Sequence, residues 1–477
     1  MILDQLKPGT EIDGFRVGEL VHSGAMGHVF RVTGPDTGFP LIMKAPRIGP
    51  NQPAEAIISF ETETMILPAL SSPHVPRFVA AGDLTHVPYL VIEYLEGTLL
   101  KEVLKGGPLP AAEVTRLGAA IADALHTVHQ QDTIHLDLKP DNVIVKPDGS
   151  AALIDFGFAH NLRYPDLLAE ETRFAAGSAP YLSPEQVSGT RSDRRSDIFS
   201  LGVVLYEAIT GRLPFGAPAT RAGLRDRLWF DPVPPMSCAS HVPGFLQEIV
   251  LRCLEVDADL RYQSAAHVAF DLRHPEQVAL TRRATKARQA GVLSQVRRWW
   301  NARNVAPAPA GAALHAVPVI MVAVDTTHPE DERHPVLQRA TAQILSLSAE
   351  FRLICVSVVR SGPAMESDGD NESASAIHLE HQIRLRHWVQ PLGLPPQRLS
   401  LHVIEASRPG EALLDFARGN HVDMIVLGAP SAGSGFAWWR SVASTVTAHA
   451  HCSVHVVRVP EGHASFSDTL APDADIA

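Results

Sequence analysis

Residues 134–145 read I-H-L-D-L-K-P-D-N-V-I-V, and no other stretch of the 477-residue chain constrains it as much. One apolar run leads in and another leads out. Between them stand an acid, a base and an amide: Asp137, Lys139 and Asn142. Asp137 is suited to accept a proton from a substrate hydroxyl. Lys139 can neutralise a phosphoryl group in flight, and Asn142 offers an oxygen to a hard cation such as Mg²⁺. After a second apolar run, Ala151 to Ile154, comes Asp155-Phe156-Gly157. This second acid at a strand end can hold the metals that bridge phosphates. A polar hairpin turn with local backbone bonds accounts for one such run, but not for the pair at this spacing.

The totals exclude several classes. A chain of this length has room for two or three domains. The net charge of −11 gives no attraction to nucleic acid. Four cysteines (Cys238, Cys253, Cys355 and Cys452) stand far apart without a C-x-x-C, which argues against a disulfide framework or a zinc site and fits a reducing compartment. No basic region followed by an apolar core opens the chain, and its longest apolar run is too short to span a bilayer. The expectation is a soluble, cytoplasmic protein.

H-x-D-x-K-P-x-N followed by D-F-G at this spacing resembles the catalytic and magnesium loops of protein kinases. The resemblance covers residues 10–272 and implies a bilobal α+β kinase fold, with ATP as substrate and Mg²⁺ or Mn²⁺ as cofactor. It assigns Asp137 as the catalytic aspartate that accepts the proton, with Lys139, Lys44 and Glu63 as its catalytic companions, and Asn142 and Asp155 as metal ligands. The hairpin V-H-S-G-A-M-G-H-V supplies Val21, His22, Ser23, Gly24, Ala25, Met26, Gly27 and Val29 over the phosphates, with His22 where the first glycine of G-x-G-x-x-G-x-V belongs. Glycines there let backbone approach phosphate oxygens. Ile92 falls at the back of the adenine pocket, and Glu93 to Leu95 offer backbone groups to the adenine edge. Thr172 and Ser178 lie in the activation segment. Glu185 and Arg261 form a buried structural pair, and Asp197 is a backbone anchor near a helix start. Leu136 departs from the family, which usually has Arg there, and Ser183 replaces the usual alanine. D-L-K-P-x-N and Y-L-S-P-E-Q resemble the bacterial serine/threonine branch.

Periodicity places a helix over 111–130 and one buried around most of its circumference over 195–215. Residues 273–314 form a basic helix tipped by Trp299-Trp300 and a Pro/Ala linker, read as solvated or as touching the kinase lobe or an anionic membrane surface. From 315 to 460 strands alternate with helices, as in an α/β doubly wound parallel sheet. V-A-V-D, D-M-I-V-L-G and the closing C-S-V-H-V-V resemble a universal stress protein domain. That resemblance implies a second nucleotide site at Asp325, Gly428, Gly433, Gly435 and Ser441. Ser431 and Arg440 stand where the family's pattern has glycine. Residues 461–477 read as a disordered tail.

Two functions follow. One is a serine/threonine kinase acting on protein substrates, with a C-terminal domain for homodimerisation or nucleotide sensing. The other is a pseudokinase scaffold that binds adenine nucleotide without transfer, for which His22 and Leu136 are the support.

Overall fold

The structure is a computed structural model that describes residues 6–24, 27–47, 55–82, 84, 86–171, 176–218, 220–239, 241–288, 317–328, 333–348, 350–359, 371–429 and 437–458. Ala25, Met26, Thr172, Gly433, Gly435, the Trp-tipped basic segment and the tail lie outside the described residues, as does the side chain of Ser441. The chain divides into two compact units, residues 1–314 with 371–376 and residues 315–370 with 377–477.

The first unit opens with six antiparallel strands: β1 (Glu11–Ile12), β2 (Phe15–Ser23), β3 (Gly27–Thr33), β4 (Leu41–Pro46), β5 (Phe78–Ala81) and β6 (Leu90–Glu93). They lie in the order β1-β2-β3-β4-β6-β5. Side chains alternate across a pleated strand, and Phe15, Val17, Phe30, Val32, Leu41, Met43 and Val91 form one core from the same face. Helix α1 (Glu55–Ile66) follows β4. Helix α2 (Ala111–His129) buries Val114, Leu117, Ile121, Leu125 and Val128, the positions its periodicity selects. Short strands β7 (Thr98–Leu99), β8 (Thr133–Ile134), β9 (Val143–Val145), β10 (Ala151–Leu153) and β11 (His160–Asn161) pair as β10-β9-β7 and β11-β8. Helices α3 (Leu167–Glu171), α4 (Pro184–Val187), α5 (Arg195–Thr210), α6 (Gly244–Cys253) and α7 (Ala265–Arg273) complete the larger lobe. Helix α5 is buried on all sides, as its sequence requires.

Of the segment after α7 read as a basic helix and linker, residues 289–314 lie outside the described residues. Up to Arg288 it holds only a single 3-10 turn at Pro275–Gln277, and it lies as a strap along α6. Glu248 accepts from the Thr281 and Ala284 amides at 2.9 and 3.0 Å and from Arg283 at 3.2 Å. Lys286 donates to Asp231 at 2.8 Å. Arg283 and Lys286 thus find acids on the lobe, while Arg282 and Arg288 are exposed.

The second unit is a parallel sheet of β12 (Val319–Ala323), β13 (Arg352–Val359), β14 (Leu399–Glu405), β15 (Met424–Ala429) and β16 (Ser453–Arg458), in the order β14-β13-β12-β15-β16. Helices α8 (Arg333–Leu345), α9 (Asn371–Val389), α10 (Pro409–Gly419) and α11 (Ala437–His449) make the crossovers. Successive residues feed opposite cores: Met321 and Ala323 pack with α10 and α11, while Ile320, Val322 and Val324 pack with α8 and α9. A parallel sheet covered on both faces reads as continuous apolar strands. Helix α9 starts at Asn371, within a Ser/Asp/Glu-rich run of 361–376 whose polar composition alone does not separate a loop from a helical turn. Among the described residues no helix is long and apolar enough to cross a membrane.

Candidate active site

Asp197 explains why the loop of 134–145 has a fixed shape. It was expected near its own helix start as a backbone anchor; instead it serves another element. Fully buried in α5, it accepts from the backbone amides of His135 and Leu136, each at 2.8 Å, and lies 2.8 Å from His129 Nε2. Burial works against its charge, but His129 and His135 outweigh that and hold the carboxyl below the usual aspartate range. Leu136 takes a left-handed backbone (φ 59°), uncommon for a side chain of this size. Its carbonyl accepts from Gln186 at 2.8 Å. The His135 ring packs beside Phe156, its centroid 5.0 Å away, and its Nε2 lies 3.1 Å from the Ile154 carbonyl oxygen. These contacts join the 134–145 loop to the Asp155 loop.

Around this frame the polar groups converge. Lys139 Nζ donates to Asp137 Oδ2 at 2.8 Å and to Ser178 Oγ at 2.7 Å. The Ser178 amide donates to Asp137 Oδ1 at 2.7 Å. Gly177, with φ +127°, allows that approach, since a Cβ there would stand 3.1 Å from the Leu136 carbonyl oxygen. The Asn142 amide nitrogen donates to the Asp137 carbonyl and carboxylate at 2.9 and 3.0 Å. Its oxygen is therefore the atom suited to a hard cation. Lys44, on β4, donates to both carboxylate oxygens of Glu63, on α1, at 2.6 Å and lies 3.5 Å from Asp155 Oδ1. The Phe156 amide donates to Glu63 at 3.4 Å.

One lysine thus serves two carboxylates. Burial opposes the Lys44 charge, but Glu63 and Asp155 more than offset it and keep the ammonium protonated. Burial pushes Glu63 above the usual glutamate range against the pull of Lys44. Asp155 sits low: burial raises it, and Lys44, Lys139 and His135 lower it further. A site with surplus negative charge and an amide oxygen fits a divalent cation. Mg²⁺ characteristically takes one or two carboxylates plus substrate phosphates rather than an all-protein cage. Among the described residues no group of three or more His, Cys, Asp or Glu forms such a cage.

The other expected residues divide. Ile92 is buried on β6, and Leu95 lies buried just beyond the strand. The Glu93 amide already donates to the Arg77 carbonyl at 2.9 Å, leaving its carbonyl rather than its N–H for a ligand. Val21 is exposed on β2 near His22, Ser23 and Gly24. Gly27 was expected to serve phosphate approach; it also meets a packing demand, because a Cβ there would collide with the Ala45 carbonyl oxygen across the β3–β4 pair. Val29 pairs with Lys44 in that ladder. Arg261 and Glu185 form a two-bond pair at 2.7 and 2.8 Å.

Sequence reasoning missed Arg227. It is fully buried and donates to the carbonyls of Leu182 and Ala179, the second at 2.9 Å. Burial pushes its pKa down to about 10. No periodicity or motif surrounds it, so nothing local marked it.

In the second unit Asp325 lies past the end of β12, where a doubly wound sheet binds ligands. Its carboxylate accepts from the Thr327 amide at 3.0 Å and from the Thr327 hydroxyl, and lies 3.3 Å from His328 Nδ1. Gly428 lies within β15, and the glycine loop beyond it is outside the described residues.

This arrangement places the first unit in a known class. The chain belongs to the protein kinase family: the model of the protein kinase domain matches residues 15–271, and that of the universal stress protein family matches residues 317–458. It is similar to a probable serine/threonine-protein kinase of Clostridium perfringens, with 34% identity over 46% of this chain and 32% of that one. It is also similar to the serine/threonine-protein kinase pkn2 of Myxococcus xanthus, with 35% identity over 54% of this chain and 32% of the relative. For PknB of Mycolicibacterium smegmatis the identity is 31%, over 54% and 42%. The chain thus spans about a third to two fifths of the length of these curated relatives. The solved kinase domain of PknI from Mycobacterium tuberculosis, a cysteine-to-alanine mutant, matches 57% of this chain and 99% of its own with a TM-score of 0.45 and 22% identity.

Proposed function

We propose that this chain is an active serine/threonine protein kinase, transferring the γ-phosphate of ATP to protein hydroxyls. The observation that carries the reading is Lys139 bridging Asp137 and Ser178 while Lys44 is engaged by Glu63. The acid that would accept the hydroxyl proton and the lysine that would hold ATP phosphates are both positioned at once. Asp137 takes the proton from the acceptor hydroxyl. Lys139 faces the charge that develops on the moving phosphoryl group, and Lys44 orients the phosphates. Asn142 and Asp155 would hold Mg²⁺ or Mn²⁺, which when bound would neutralise charge on the phosphates. An intact-mass time course with Mg-ATP tests this beside Asp137→Asn. Mass gains of one phosphate in wild type alone are expected, and equal traces would leave the pseudokinase scaffold.

For the second unit we infer a pairing role. Among the described residues strand β16 is bonded only to β15, and its side chains are half-buried or exposed without proline. Such an edge invites another strand. Two chains joined there would bring two kinase units to a high effective concentration. Light scattering and autophosphorylation across a dilution series, for the full chain and for one ended at Arg288, test it. Ending at Arg288 keeps the strap on α6. Equal mass per chain and equal concentration dependence would refute pairing. Nucleotide binding at Asp325 and Gly428 is the second reading, checked by equilibrium binding of ATP to the Asp137→Asn chain and to its Asp325→Ala derivative.

A further inference from the structure

Arg191 lies beyond α4, in the connection to α5, and is buried. Its guanidinium reaches back into the segment that follows Asp155-Phe156-Gly157. Nε donates to the two carboxylate oxygens of Asp166 at 2.9 and 3.1 Å, and Nη2 donates to the Phe158 carbonyl at 2.8 Å. His160 joins the cluster, its Nδ1 3.4 Å from the Arg191 carbonyl oxygen and 3.6 Å from Asp166 Oδ2. Asp166 also accepts from the Ala169 amide at 3.2 Å, in the first turn of α3. One arginine therefore ties three points of the activation segment together.

The clamp has something to position. Leu167 and Leu168 of α3 pack with Ile58 of α1, and Met65 and Phe158 lie alongside. Helix α1 carries Glu63, which holds Lys44. Contacts run unbroken from Arg191 through Asp166, α3 and α1 to the Lys44–Glu63 pair. In the kinases this chain resembles, an arginine before the catalytic acid gathers a phosphorylated activation segment. Leu136 stands at that position, buried and uncharged. The order a phosphate would impose needs another source, and Asp166 is a permanent carboxylate already bonded to a buried guanidinium.

We propose that Arg191 and Asp166 are positioning residues: their ion pair holds α3 against α1 and so keeps Lys44 and Glu63 assembled without phosphorylation. The proposal rests on the kinase reading, and its test includes a readout that needs no catalysis. Amide exchange by mass spectrometry and steady-state kinetics are measured on the full chain and on Asp166→Asn, Arg191→Gln, Arg191→Lys, Leu168→Ala and Thr172→Ala. Asp166→Asn and Arg191→Gln should speed exchange in 55–66 and 158–171 about tenfold, and lower kcat by about the same factor with little change in KM for ATP. Exchange in 111–129 should stay as in wild type. Arg191→Lys should recover part of both effects, and Thr172→Ala should move neither. If the charge variants loosen 111–129 as well, Leu168→Ala decides: faster exchange in 55–66 with a lower kcat supports the linkage. Unchanged exchange in 55–66 overturns it, as does a Thr172→Ala loss equal to that of Asp166→Asn. A wild-type chain that transfers no phosphate would sink the kinase reading while the exchange result still stands.

Discussion

The acids at the strand ends of the two units keep different company. Asp155 draws Lys44 from 111 residues away, and Asp137 draws the Ser178 amide from 41. Asp325 accepts hydrogen bonds from Thr327 in its own turn and lies beside His328, two and three residues on, while its charge also acts on His381. A carboxylate served by its own turn is held by local backbone geometry, with or without a ligand. Two carboxylates sharing one lysine hold surplus charge that a cation relieves. An acid at a strand end is therefore weak evidence of a site; partners gathered from distant elements are stronger evidence.

The largest expected effect would break that contrast outright. Lys44→Met and Asp155→Asn should each lower phosphoryl transfer by about a hundredfold or more, on the scale of losing a charge-stabilising group. Asp325→Asn should leave transfer unchanged in a radiolabel assay. A comparable loss in Asp325→Asn would mean that the second unit's strand end acts on the first.

Next in size is stability. Arg261→Met strands the Glu185 carboxylate and should cost about 3 kcal/mol in the first unit's urea transition. Arg408→Met, at an exposed pair with Glu411 in the second unit, should leave its transition where it was. If both variants behaved alike, burial would not be what separates the two ion pairs.

Acid gives a prediction for the first unit. Asp166, Asp193 and Asp197, all in the first unit, are held below the usual aspartate range, with burial opposing and basic neighbours prevailing. A depressed folded pKa stabilises above the unfolded value, about 4, and that contribution is lost as pH falls through the folded value. The first unit's calorimetric transition should therefore drop below pH 4, whereas an unchanged midpoint from pH 6 to 3 would contradict the assignment. The smallest effect belongs to Thr172→Ala, which should keep most activity because Leu136 cannot bind a phosphate. A large loss restored by Thr172→Glu would point to another basic residue in that role.

How much was legible follows the same division. Asp137, Lys139, Asn142 and Asp155 stand in motifs of characteristic spacing, Lys44 and Glu63 were implied by the kinase resemblance, and the structure brings the six together. The alternating apolar strands of the second unit were readable because burial on both faces leaves a continuous run. Asp166, Arg191 and Arg227 were not readable, since each meets partners across the fold with no local pattern around it. Asp197 was noticed as a backbone anchor near a helix start; that the backbone it holds is the loop of residue 135 was not readable. The basic strap left solvent, lobe and membrane open, because charge alone does not say whether acids or water receive it.

One consequence concerns how such a chain is able to vary. The left-handed turn at residue 136 is held from both sides by other residues, Asp197 at its amide and Gln186 at its carbonyl. The loop's outline is written in those two bonds and not in the side chain at 136. Inheritance can then exchange that side chain and alter how the loop answers to modification without redrawing the loop itself. Shape and control are separate characters at this position, free to drift at different rates.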